Sequence, residues 1–131
     1  MAYRVRGVTL LQLGEFAASQ HAFDRALALY DSDLHAKLTF QYGQEPRATI
    51  LAWNAVGQWL VGHLEEADRA LHQALAASEE TTHVNTQAFV LAYGGCLLET
   101  LRGDARAIEV HLRSSFNCPT STTSRCGVPT P

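Results

Sequence analysis

Between Met1 and Cys118 the chain contains one proline, Pro46. Proline removes a backbone donor and clashes with the preceding turn, so a run this free of it is open to long helices. Alanine and leucine are frequent there, runs of β-branched residues are rare, and no period-two alternation of useful length occurs. From Tyr3 to Arg113 the chain therefore reads as all-α. In the segment Glu15 to Tyr30, Phe16, Ser19, Ala22, Phe23, Ala26, Leu27 and Tyr30 recur at three- and four-residue steps. Such a stripe forms one helix face that needs a partner. Leu64, Ala67, Leu71, Ala74 and Leu75 repeat the arrangement.

Three glycines punctuate these runs. Gly14, Gly62 and Gly103 each follow an apolar helical stretch and precede a polar residue, which marks them as helix ends with positive φ. Pro46 suits the first turn of a helix, where its missing donor loses no bond. The connector Asp31 to Glu45 is turn-like at both ends, and its middle, Leu34 to Phe40, has room for a helical turn or two. The strings after the glycines are alike, and the glycines lie 48 and 41 residues apart, near the spacing of helix-pair repeats. After each comes a small or aliphatic residue (Ser19, Ala67, Ile108), then a large one (Phe23, Leu71, Leu112), then a small one (Ala26, Ala74, Ser115). Small residues admit a neighbouring helix while the large one fills the groove.

This pattern resembles the tetratricopeptide repeat, a helix–turn–helix module. Tyr3, Gly7 and Leu10 match its first-helix pattern, with Arg6 in place of the leucine. The second repeat carries Leu51, Asn54, Ala55 and Gln58, then Ala67, Leu71 and Ala74. In the third, Gly95, Cys96 and Glu99 take the first-helix positions and Ile108 replaces the usual alanine; the closing proline is absent from all three. The resemblance implies a right-handed stack of antiparallel helix pairs, an α-solenoid. The pairs would span about residues 2–30, 46–80 and 84–116, followed by an irregular tail over 117–131. It also implies that outward residues of the first helices select a partner. Those would be Arg4, Val8 and Leu11, then Ala52, Val56, Trp59 and Leu60, then Val90, Tyr93 and Leu97. Trp59 would lead them, because large aromatics dominate interface energetics.

A second likeness is narrower. Ala26-Leu-Ala-Leu-Tyr30, Phe40-Gln-Tyr-Gly-Gln-Glu-Pro46, Leu51-Ala-Trp53, Trp59-Leu-Val-Gly62 and His83 leading to Leu91-Ala-Tyr93 resemble a helical region of large bacterial signalling proteins. That region follows their ATPase module, and class III adenylate or guanylate cyclase domains often stand at the other end. The likeness implies a regulatory or interaction segment without cyclase machinery, and no phosphate-binding loop ending in Lys-Ser/Thr occurs here.

Thirteen acidic and ten basic residues give a formal charge of −3, and no polybasic run is present, which argues against phosphate-neutralising nucleic-acid binding. The stretch Ala88 to Leu98 is too short to span a bilayer, and the first residues lack an apolar signal core, so a cytoplasmic location is expected. His21, His35, His63, His72, His83 and His111 are dispersed, without a His-Glu-x-x-His or Cys-x-x-Cys motif. Asp31, Asp33 and His35 read as solvated connector residues. Cys118 and Cys126 lack a second ligand pair, and Cys96 reads as an inert thiol in an apolar helix beside Gly94 and Gly95. Glu65, Glu66, Glu79 and Glu80 need no acid–base role, and the first two suit a helix N-terminus.

Neither catalysis, a cofactor nor a metal is expected. The leading expectation is a module that binds a protein, a peptide or another segment of a larger signalling chain. The alternative is a small-molecule sensor with an apolar pocket lined by Trp53, Trp59, Tyr93 and Tyr42. The tail, with three prolines, four threonines and no acid, does not complete a helix pair. An uncapped stack exposes apolar surface at that end, which makes a homodimer through it a further expectation. Replacing Ala67 or Ala74 by Leu is expected to overpack the helix contact and cost about 1–3 kcal/mol, measured by urea unfolding.

Overall fold

The computed structural model describes residues 2–33, 37, 39, 41 and 43–116. Most of the connector's middle, Tyr42 and the tail 117–131 lie outside the described residues. The rest is helical, with no strand among the described residues. Helix α1 spans Ala2–Gln12, α2 Phe16–Ala28, α3 Pro46–Val61 and α4 Leu64–Glu80. Then α5 (Val84–Phe89) runs through a π-helical segment, Val90–Cys96, into α6 (Leu97–Arg102), and α7 covers Ala105–Phe116.

The three glycines end their helices in the same way. Their φ angles are 80° at Gly14, 93° at Gly62 and 75° at Gly103, left-handed values that favour a residue without Cβ. At each, the glycine N–H and the next N–H reach back to two successive carbonyls of the last turn. Around Gly62 these bonds are Gly62 N to Trp59 O at 3.0 Å and His63 N to Gln58 O at 2.9 Å. Glu15 and Asp104 donate the equivalent backbone bonds after Gly14 and Gly103, to Leu10 O and Glu99 O. This is the double-bonded stop that satisfies orphan carbonyls.

Side-chain contacts fix the direction of each helix. Arg4 donates to Gln44 at 3.0 Å beside the start of α3, and Leu11 lies against Gly57 near the far end. Helices α1 and α3 are therefore parallel. Helix α2 runs the other way, with Gln20 donating to Asn54 at 3.1 Å and the Tyr30 hydroxyl donating to Glu45 at 2.7 Å. Thr86 and Asn85 meet Glu45 and Gly43, so α5 starts beside α3 and runs parallel to it. Arg102 pairs with Asp68 at 2.6 Å, setting α6 antiparallel to α4. All three first helices thus begin at one end, and all three glycine turns lie at the other.

Helix α3 is central. Pro46, Ala48–Ala52 and Ala55–Gly57 are buried, because α1 and α2 cover one side, α4 another and the π segment a third. One apolar cluster joins Ala48, Leu51, Ala52, Ala74, Ala77 and Val90; a second joins Ala55, Ala70, Leu71 and Leu98. Ala67 and Ala74 have no accessible surface, as close helix contact requires. Leu64 departs from its expected stripe: it is the first residue of α4 and 54% exposed. Leu112 is 44% exposed because no further helix lies over α7 among the described residues.

Glycines also set the helix separations. A methyl on Gly7 would fall 2.5 Å from Phe23 Cε1, and Ser19 Oγ donates to the Gly7 carbonyl at 2.8 Å. Gly94 faces Ala52 and Leu71, while Gly95 faces the His111 ring. Gly7→Ala must displace a fully buried ring and is expected to cost about 1–3 kcal/mol. Gly62→Ala meets no atom within 4 Å and is expected to cost about 1–2 kcal/mol from backbone strain alone. Denaturant unfolding of the two variants, with the ring environment of Phe23 followed by NMR, distinguishes the two causes.

Candidate functional site

Gly43, Gln44 and Glu45, ahead of Pro46, form a junction between all three helix pairs. Glu45 precedes Pro46 and caps α3, its carboxylate accepting from Arg47 N at 3.1 Å and Ala48 N at 2.6 Å. The same carboxylate accepts the Tyr30 hydroxyl, and the Glu45 N–H donates to Thr86 Oγ1 at 2.8 Å. Gly43 O accepts from Asn85 at 2.6 Å, and Gln44 accepts from Arg4. Burial lowers the Arg4 pKa from the usual guanidinium value, and the nearby Glu45 carboxylate opposes that shift. The Tyr30 phenol is pushed up to about 12, first by burial and then by its bond and proximity to Glu45.

Beside this junction lies a cavity of about 360 Å³, lined by Tyr30, Glu45, Arg47, Glu80, Thr81 and His83 among others. Arg47 and Glu80 approach to 3.9 Å at its rim. It is not the aromatic pocket expected from the sequence. Trp59 packs into the second core cluster, Tyr42 is outside the described residues, and Trp53 and Tyr93 belong to a different surface.

That surface is an aromatic trio. Trp53 of α3 meets Tyr93 of the π segment at 5.0 Å between ring centres and Phe89 of α5 at 5.9 Å, while Phe89 and Tyr93 stack at 4.7 Å. Phe89 and Tyr93 are four residues apart and share one face of their helix. Tyr93 is 42% exposed; Trp53 and Phe89 are half-buried. Two neighbouring parallel helices therefore present one continuous aromatic patch.

The other expected partner-binding residues are placed as follows. Arg4 and Val8 are half-buried on α1, with Arg4 committed to Gln44. Leu11 and Val56 are buried at 7% and 5% exposure and face no open groove, because α1 and α3 pack closely where Leu11 meets Gly57. Ala52 and Val90 have no accessible surface and serve the core, while Leu97 is half-buried. Leu60 is exposed, but on the last turn of α3, near the glycine turns. Phe89 is the missed member of the patch, and its one sequence signal is the four-residue spacing to Tyr93; Trp53 beside Tyr93 is expected from the sequence, but as the lining of a pocket rather than as part of a surface.

Burial raises the Cys96 thiol pKa, which disfavours the nucleophilic thiolate. Asp31 and Asp33 are exposed, with Asp31 capping the Asp33 N–H at 3.0 Å, while His35, Cys118 and Cys126 lie outside the described residues. Among the described residues no three His, Cys, Asp or Glu side chains gather in a metal-holding group, and no helix is long and apolar enough to cross a membrane. Comparison with known proteins finds no matching family, no matching curated sequence and no matching solved structure.

The raised Tyr30 pKa has a defined sign. Folding favours the protonated phenol, so its contribution is fully present below pH 10 and is lost as pH rises toward about 12. Tyr30→Phe is expected to flatten the alkaline fall in stability over that window. It is also expected to remove a phenolate signal that grows in as pH rises toward about 12, seen by absorbance.

Proposed function

We propose that the chain is a non-catalytic helical-repeat module of tetratricopeptide-like, right-handed solenoid form that binds a protein or peptide. Its three antiparallel helix pairs, with parallel first helices and matching glycine turns, support the solenoid reading. In this reading it is a cytoplasmic regulatory segment of a cyclase- or ATPase-linked bacterial signalling protein, and the sequence string that resembles that group runs up to Glu45 and Pro46, where the junction lies. The observation that carries the binding role is the aromatic trio Trp53, Phe89 and Tyr93, held across two packed helices. Aromatics presented on rigid elements bury large area with little ordering cost. Tyr93, rather than Trp59, is then the centre of recognition, because Tyr93 is 42% exposed while the half-buried Trp59 packs against the second core cluster.

A second reading, a small-molecule sensor, is favoured by the cavity beside Glu45, whose size suits a small ligand. Its rim carries Arg47, Glu80 and His83 while its lining also includes Tyr30 and Ala77, which suits a ligand with both polar and apolar parts.

A capture experiment with immobilised wild-type chain and its Tyr93→Ala and Trp59→Ala variants tests the leading reading. Tyr93→Ala is expected to stay folded, with stability lowered by about 1 kcal/mol through its lost ring contacts, and to lose the captured partner. Trp59→Ala is expected to destabilise the fold by about 2 kcal/mol. Undiminished capture by a folded Tyr93→Ala chain would overturn the assignment of the trio, and capture lost only on Arg47→Ala would move recognition to the cavity.

A further inference from the structure

The end of the molecule opposite the Glu45 junction carries a second surface, independent of the aromatic trio. The three glycine turns lie together there, and each exposes large apolar side chains. Leu13 before Gly14 is 71% exposed; Leu60 and Val61 before Gly62 are 44% each; Leu64 after it is 54%; Leu101 before Gly103 is 38%. Adjacent turns are neighbours in space, because Leu11 packs on Gly57 and Arg102 pairs with Asp68 just inside them. Isolated surface apolar residues need no explanation, but four leucines and a valine on three neighbouring turns form a row.

Acidic residues border the row. Glu15, Glu65, Glu66 and Asp104 follow the glycines and are exposed. Asp104 also caps α7 through bonds to Arg106 N and Ala107 N at 3.0 Å, and Glu65 and Glu66 occupy the first turn of α4. Helix-end electrostatics accounts for the carboxylates there but not for the leucines beside them. Of the basic groups at these turns, Arg102 is held by Asp68 and Glu99. Arg106, and Arg69 one turn along α4 from Glu65 and Glu66, supply two charges against the four carboxylates, so the edge stays net acidic.

We propose that this glycine-turn edge docks a basic amphipathic helix from a partner protein. The apolar row would take the partner's Leu or Ile stripe, and the carboxylates would face Lys or Arg on its flanks. Charge selects this occupant. A second copy joined edge to edge would set Glu15, Glu65, Glu66 and Asp104 against their own counterparts, and an anionic lipid surface would repel the same groups.

The test uses the full chain and a fluorescent Leu/Lys amphipathic peptide of about 18 residues, followed by anisotropy. Saturable binding is expected, weakening with salt. Leu13→Ser combined with Leu64→Ser is expected to reduce affinity about tenfold or more, as is Glu65→Lys combined with Glu66→Lys. Val84→Ser, an exposed apolar residue remote from the glycine turns, is expected to leave affinity unchanged and controls for general surface hydrophobicity. A Leu/Glu peptide of the same pattern is expected not to bind. Thermal unfolding checks that each variant stays folded; the leucine positions are exposed, and a variant that unfolds is replaced by Leu13→Gln with Leu64→Gln. Equal affinity of the folded leucine variants overturns the proposal. So does sedimentation on anionic vesicles, or concentration-dependent dimerisation abolished by the same leucine changes.

Discussion

One carboxylate ties the three helix pairs into a single register. Glu45 satisfies two orphan N–H groups at the start of α3, takes the Tyr30 hydroxyl from the end of α2, and through its own N–H holds Thr86 at the start of α5. Three of these four bonds are partly buried, and each holds its neighbour in one position. The flanking residues extend the constraint, with Gly43 holding Asn85 and Gln44 holding Arg4. Because every first helix is fixed at its N-terminal end, all of them run parallel. The glycine turns are thereby collected at the opposite end.

That register makes α3 a helix without a free face along most of its length. Alanines at 48, 52 and 55 and Gly57 let α1, α4 and the π segment approach it closely. The consequence for recognition is that little of the first-helix face remains open. What stays accessible is where a side chain is too large to be covered, at Trp53, and where the neighbouring helix brings its own rings, at Phe89 and Tyr93.

Local features of this fold were legible in the sequence because their causes are local. A glycine after an apolar run, the stripe through Ser19, Ala22 and Phe23, and Pro46 at a helix start each report on a few adjacent residues, and each stands in the structure as read. Residues whose role depends on a neighbouring element were not legible. Val56 and Leu11 read as outward by position in a repeat, yet α1 and α3 cover them because Gly57 permits the approach. Glu45 was visible only as part of a string, since Glu is an uncommon capping residue and its bonds to Tyr30 and Thr86 span 15 and 41 residues. Leu60 and Leu64 read as groove and stripe, and only the shared direction of the helices reveals them as one edge.

The π segment was hidden for a related reason and explains why the trio can exist. Val90–Cys96 reads as uninterrupted helix, yet it must pack on α3 and α4 with one side and on α7 with another. Adjacent glycines solve this: Gly94 admits Leu71 and Gly95 admits the His111 ring, where a Cβ would lie 3.0 Å from Leu71 Cδ1 and 3.0 Å from His111 Cγ. Two glycines cost about 1 kcal/mol each in helix propensity, and a widened turn adds to that. The cost is offset by burial of Val90 and Leu98, both without accessible surface. With its glycine side engaged by the core, the segment turns Tyr93 outward next to Phe89 and Trp53. The aromatic patch and the close packing at Gly94 and Gly95 are two sides of one short segment, so neither can change by small-to-large substitution at Gly94 or Gly95 without disturbing the other.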